Sequence, residues 1–119
     1  MENKRKYTIY AVDFDGTLCE SVYPGIGSPN IALIEHLKKR REQGNKVILW
    51  TCRCGDDLNA AVEWCKKFNL EFDEINSNIP EIIEAHNGND NRKVFAHVYI
   101  DDKAINKPKY HVPYKEAVT

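Results

Sequence analysis

The sequence predicts an α/β fold built on a mainly parallel sheet, and three observations carry that prediction. Short runs rich in β-branched, aromatic and aliphatic residues recur along the chain: Tyr7-Thr8-Ile9-Tyr10-Ala11-Val12, Lys46-Val47-Ile48-Leu49-Trp50 and Val94 to Ile100. Such near-continuous apolar runs suit strands covered on both faces. Helix-length stretches with apolar residues three and four apart separate them, and strands alternating with helices favour parallel pairing through right-handed crossovers. Each apolar run also stops abruptly at polar or acidic residues, which suits the carboxyl edge of a parallel sheet.

The elements follow in order. After the first strand comes a Gly/Pro/Ser-rich loop over roughly Glu20 to Ser28. Ser28 reads as an N-cap with Pro29 at the first helical position. Ile31, Ile34 and Leu37 keep helical spacing, basic residues fill the last turns, and Gly44 closes the helix. The second strand follows at Lys46. Asp56 or Asp57 reads as the cap of a second helix with Leu58, Ala61, Val62 and Cys65 on one face, and Asn69 as its left-handed stop. Phe72 and Ile75 suggest a short strand. Pro80 opens a short helix to about His86, Asn87 to Arg92 is a polar turn, and Val94 to Ile100 is the last strand.

A length of 119 residues is one domain, with a core over about 7–103 and a tail over 104–119. Hydrophobic residues at 42% and charged residues at 29% are a globular balance. The net charge of -1 gives no electrostatic case for nucleic acid or membrane. No apolar run nears the roughly 18 residues a bilayer span needs. The charged start Met1 to Lys6, followed by a short apolar run ending in aspartate, is not read as a signal peptide. The four cysteines, at 19, 52, 54 and 65, then read as reduced thiols of a cytoplasmic protein.

Chemistry concentrates at the strand ends, which carry Asp13-Phe14-Asp15, Thr51-Cys52-Arg53 and Asp101-Asp102. Four carboxylates in one crevice call for a cation, and oxygen-only ligands suit magnesium. Magnesium would also shield an incoming phosphate from the carboxylates. Asp13 and Asp15 can share a site if the chain bends, which Gly16 allows. One carboxylate can then attack phosphorus while the other handles the leaving-group proton. The Thr51 hydroxyl and the N–H groups after it suit phosphoryl oxygens. Lys93, Arg92 or Arg53 could balance the developing charge.

The run Ala11-Val12-Asp13-Phe14-Asp15-Gly16-Thr17-Leu18 resembles the first motif of the haloacid dehalogenase (HAD) superfamily. Leu49-Trp50-Thr51-Cys52-Arg53 is similar to its second, and Val98-Tyr99-Ile100-Asp101-Asp102 to its fourth, in the right order from Tyr7 to Lys103. The resemblance implies a Rossmann-like, three-layer α/β/α core. It implies Asp13 as nucleophile forming an aspartyl-phosphate, and Asp15 as general acid and then base. Gly16, Thr17, Thr51, Cys52 and Arg53 fall in the substrate-binding positions. Asp13, Asp15 (through its main-chain carbonyl), Asp101 and Asp102 would hold Mg2+. For the third-motif cation, Lys93 is preferred, although it lies eight residues before Asp101 with no helix between; Arg53 is the substitute. Neither Leu18 to Ser28 nor Asn69 to Lys93 has room for a cap domain. The expectation is a capless phosphatase acting on a phosphorylated small molecule or a phosphorylated polymer end.

Other readings fit less well. A nucleic-acid 3′-end phosphatase would keep the chemistry and change the substrate. A response-regulator receiver, which stores phosphate without multiple turnover, carries its acidic pair on the first strand; here the pair comes last. A catalytically idle binding module is disfavoured because every acidic position is present. An EF-hand loop starting at Asp13 needs Gly and Glu where Leu18 and Pro24 stand. Cys52-x-Cys54 has no second pair with zinc spacing.

Overall fold

The computed structural model describes residues 6–85 and 94–101 of the chain. Four strands, β1 (Ile9–Val12), β2 (Lys46–Leu49), β3 (Glu74–Ile75) and β4 (Val98–Ile100), form one sheet in the order β3-β2-β1-β4. Every pairing is parallel. Helices α1 (Ile31–Glu42), α2 (Gly55–Lys66) and α3 (Pro80–Ala85) lie between the strands in sequence. The expected α/β class with a parallel sheet is therefore the observed one, and no cap domain interrupts the described residues.

The two faces of the sheet sort the side chains by alternation. Tyr10, Val12, Val47 and Leu49 face one way and pack with Leu33, Ile34 and Leu37 of α1 and Ala61 and Cys65 of α2. Ile9, Ala11 and Ile48 face the other way, onto Ile79, Val94, Ala96 and Ile82 of α3. Helices thus cover both faces, which makes the three layers and explains why all of β1 is buried. Leu37 is fully buried in the first layer. Leu37→Ala is expected to cost about 2–5 kcal/mol, a large share of a small domain's stability. Urea unfolding would measure it; a loss below about 1 kcal/mol would mean that α1 does not seal this face.

Several boundaries move from their sequence positions. The N-cap of α1 is Asn30, whose side chain accepts from Leu33 N–H, so Ser28 and Pro29 stay in the loop. Pro29 instead pairs with Cys19 in an isolated bridge. Helix α2 begins at Gly55 behind Cys54, which places Asp56 and Asp57 inside its first turn, favourable to the helix dipole, and not at its cap. Asn69 does take a left-handed φ of 62° after α2, and Gly44 one of 97° after α1. The strand expected over Val94 to Ile100 enters the sheet only from Val98. Its first residues turn to side-chain partners: Phe95 N–H donates to Asn78 Oδ1 and Ala96 N–H to the Tyr99 hydroxyl. Phe72 lies outside β3. The polar turn 87–92 and the tail 104–119 fall outside the described residues, and no described helix is long and apolar enough to cross a membrane.

Candidate functional site

Register brings the strand ends to one level. Val12 pairs with Leu49 on one side and with Ile100 on the other. Asp13 therefore follows β1 directly beside Asp101, which follows β4, and the Asp13 N–H donates to the Ile100 carbonyl at 2.9 Å. On the other side Trp50 N–H donates to the Val12 carbonyl at 2.9 Å, which puts Thr51 at the same edge. Asp13, Thr51 and Asp101 are each partly exposed. Asp13 and Asp101 are level and Thr51 lies one residue further along, so all three stand at the carboxyl edge of the sheet.

Beyond Asp13 the chain reverses tightly. Thr17 and Leu18 N–H groups both donate to the Phe14 carbonyl, and Gly16 N–H donates to the Cys19 carbonyl at 2.9 Å. Gly16 sits at φ 82°, in the left-handed region where a side chain would add strain. Thr17 is buried, and its hydroxyl oxygen has no hydrogen-bond partner among the described residues. Its carbonyl accepts from Asn30 Nδ2 at 3.1 Å, so the α1 cap also holds this turn. Asn30 had no place among the sequence-derived candidates.

The loop over 20–28 closes on itself. Glu20 N–H donates to the Ser28 carbonyl at 2.9 Å. Gly27 lies so close to Glu20 that an added Cβ would sit 2.6 Å from the Glu20 Cβ, so this neck requires glycine.

Arg53 departs most from its expected setting. It is 3% exposed, although its neighbours Cys52 and Cys54 are exposed. Its Nε and one terminal nitrogen each lie 2.8 Å from an oxygen of Asp15, a bidentate fork. The same terminal nitrogen donates to the Gly25 carbonyl at 2.8 Å, and the other to the carbonyls of Pro24 at 3.2 Å and Asp57 at 3.4 Å. The guanidinium carbon lies 5.0 Å from the centre of the Phe14 ring and 4.9 Å from that of Tyr23. The Tyr23 hydroxyl donates to Asp57 at 2.9 Å. The hydrogen bond to Asp15 raises the Arg53 pKa above its ordinary value, while burial pulls the other way.

Thr51 is placed from both sides. Its N–H donates to Asn76 Oδ1 at 2.8 Å, and its hydroxyl accepts from the Arg53 N–H at 3.2 Å. Asn76 stands at φ 54° after β3 and donates its own N–H to the Leu49 carbonyl. Sequence reasoning missed Asn76; its one signal was an asparagine, which tolerates left-handed geometry, just after a strand. Cys52 is an exposed thiol beside Thr51. Cys19 and Cys65 are buried, and burial pushes the Cys65 thiol up to about 12. Asp102, Arg92 and Lys93 lie outside the described residues.

Asp13 and Asp101 carry carboxylate oxygens at this edge, the donor type that magnesium takes, while the Asp15 carboxylate is engaged by Arg53. Among the described residues no group of three or more His, Cys, Asp or Glu is placed to hold a metal ion. Magnesium does not ask for one, since it ordinarily takes one or two carboxylates and keeps its waters and the substrate's phosphate.

Fold and crevice together define an α/β protein with a parallel sheet whose polar groups converge on its carboxyl edge. A scan against protein-family models and a search of curated proteins each find no match. A solved structure of a conserved protein from Bacteroides thetaiotaomicron is 39% identical, with 84% of this chain and 79% of that chain covered and a TM-score of 0.73. The chain belongs to the same family as that conserved protein. Membership supports the fold and names no activity.

Proposed function

We propose that the chain is a magnesium-dependent phosphomonoester hydrolase that works through an aspartyl-phosphate on Asp13, as a capless member of the HAD superfamily. The observation that carries this reading is the meeting of Asp13, Thr51 and Asp101 at the ends of three neighbouring parallel strands, where such sheets bind ligands.

In the first half-reaction the Asp13 carboxylate attacks phosphorus, the bond from phosphorus to the leaving oxygen breaks, and Asp15 gives that oxygen a proton. In the second, water attacks the phosphorus, Asp15 takes the proton from that water, and the bond to Asp13 breaks to release phosphate. The Thr51 hydroxyl accepts from Arg53 N–H, which leaves its own hydrogen to donate to a phosphoryl oxygen. The N–H groups after it can serve the same oxygens. Magnesium held by Asp13, the Asp15 carbonyl, Asp101 and Asp102 would neutralise charge at the phosphoryl group. Lys93 is the proposed balancing cation. The open crevice suits a phosphorylated small molecule or polymer end. The four free cysteines, two of them exposed, suit a reducing cytoplasm.

The test is phosphate release from a nucleotide, a sugar phosphate and a 3′-phosphorylated oligonucleotide, with and without magnesium. Multiple turnover on at least one substrate, in magnesium only, is expected. Strong preference for the oligonucleotide would move the assignment to nucleic-acid end repair. A single long-lived phosphorylation without turnover would indicate a receiver-like switch, and no release from any substrate would overturn the proposal.

A further inference from the structure

We infer that Arg53 is a positioning residue: it holds the Asp15 carboxylate and clamps the 20–28 loop onto the start of α2, and it does not bind the substrate's phosphate. The inference rests on the hydrolase reading for the role of Asp15, and on geometry alone for the clamp.

A guanidinium has five N–H donors and no more. Arg53 directs them to five acceptors: the two Asp15 oxygens and the carbonyls of Pro24, Gly25 and Asp57. Its side chain is 1% exposed, and the rings of Phe14 and Tyr23 lie against it. A phosphate reaching this group would have to displace a buried partner and gain no donor that is now idle. A cation that binds phosphate usually presents donors to the cleft; this one faces inward.

The partners come from separate parts of the chain. Asp15 lies in the turn after β1, Pro24 and Gly25 lie in the loop, and Asp57 lies in the first turn of α2. Tyr23 adds a second tie from the loop to α2 through Asp57. A single side chain therefore sets where Asp15 stands relative to Asp13 and keeps the loop seated. Each Asp15 oxygen accepts one bond from Arg53 and keeps a second lone pair that can carry a proton. Arg53 thus defines the position from which Asp15 works.

The experiment compares the wild type with Arg53→Ala, Arg53→Lys and Asp15→Asn on two esters, an alkyl phosphate and p-nitrophenyl phosphate. The alkyl leaving group needs a proton and nitrophenolate does not. Loss of a positioned general acid typically costs about 100-fold or more. Arg53→Ala and Asp15→Asn are both expected to lower kcat on the alkyl ester by about 100-fold or more, and on the nitrophenyl ester by less than about 10-fold, with KM nearly unchanged. Arg53→Lys keeps the charge but loses the fork, so it should show the same selectivity. Equal losses on both esters, a rise in KM as the main effect, or wild-type kcat on the alkyl ester in Arg53→Lys would each overturn the positioning role.

Amide hydrogen exchange provides a readout independent of activity. In either Arg53 variant the Gly16 and Gly25 amides, which donate to Cys19 and Val22 carbonyls, are expected to exchange at least 10-fold faster, while β1 keeps its protection. Unchanged exchange at both sites would overturn the clamp. A wild type that hydrolyses neither ester defeats the hydrolase reading instead, and the exchange comparison then decides the clamp by itself.

Discussion

Asp13→Asn is expected to reduce phosphate release to background, a loss of about 10⁴-fold or more, while the protein stays folded. The substitution changes one oxygen to an amide nitrogen and little else in shape. An amide has neither the charge nor the available electron pair to attack phosphorus, so the covalent half-reaction stops. Asparagine keeps the size of aspartate and the main-chain hydrogen bond from residue 13 to the Ile100 carbonyl, so the fold is expected to hold. Removing one negative charge beside Asp101 also relieves repulsion in the crevice. The measurements are steady-state phosphate release and thermal unfolding. Turnover within 10-fold of wild type in a folded variant would defeat Asp13 as nucleophile. Loss of both turnover and fold would mean that the carboxylate is structural.

Removal of magnesium is expected to have an effect of similar size and to be reversible. Asp13 and Asp101 follow paired positions on adjacent strands, so two carboxylates face an incoming phosphate that is itself negative. Without a divalent cation this approach is unfavourable on charge alone. Chelation should therefore silence hydrolysis, and excess magnesium should restore it. Asp101→Asn should raise the magnesium concentration for half-maximal activity by roughly 10-fold or more, with a smaller effect at saturation. Full activity in chelator would remove the metal from the proposal. An unchanged magnesium requirement in Asp101→Asn would remove Asp101 from the metal's ligands.

Much of the architecture was legible because it depends on local pattern. The runs ending in Val12 and Leu49 are short, nearly continuous and rich in β-branched, aromatic and aliphatic residues, which assigns them as strands covered on both faces. The left-handed stops at Gly44 and Asn69 were readable because the residue types that tolerate positive φ are few. The cap of α1 was not readable in the same way. Ser28 and Asn30 are both good caps, and the choice between them falls to the Cys19–Pro29 bridge and the Asn30 contact with Thr17. Similarly, Val94 to His97 carries strand composition. Asn78 and Tyr99 take the N–H groups of Phe95 and Ala96, so contact with β1 begins only at His97, whose N–H donates to the Ile9 carbonyl.

The candidate site divides along the same line. The acidic turn Asp13-Phe14-Asp15-Gly16, the threonine after β2 and the aspartate after β4 were all visible as polar stops to apolar strands. Their chemistry follows from residue type. The sequence by itself determined which groups stand at the carboxyl edge, because a buried strand must end where its apolar residues end. Tertiary structure alone decided how those groups pair. Arg53 follows so soon after Thr51 that sequence reading treats it as a phosphate ligand. In the fold it turns inward to Asp15, 38 residues away, and to the loop carbonyls. A buried guanidinium must satisfy all its donors, and the acceptors that meet this demand are neighbours only once β1, β2 and the 20–28 loop have been brought together.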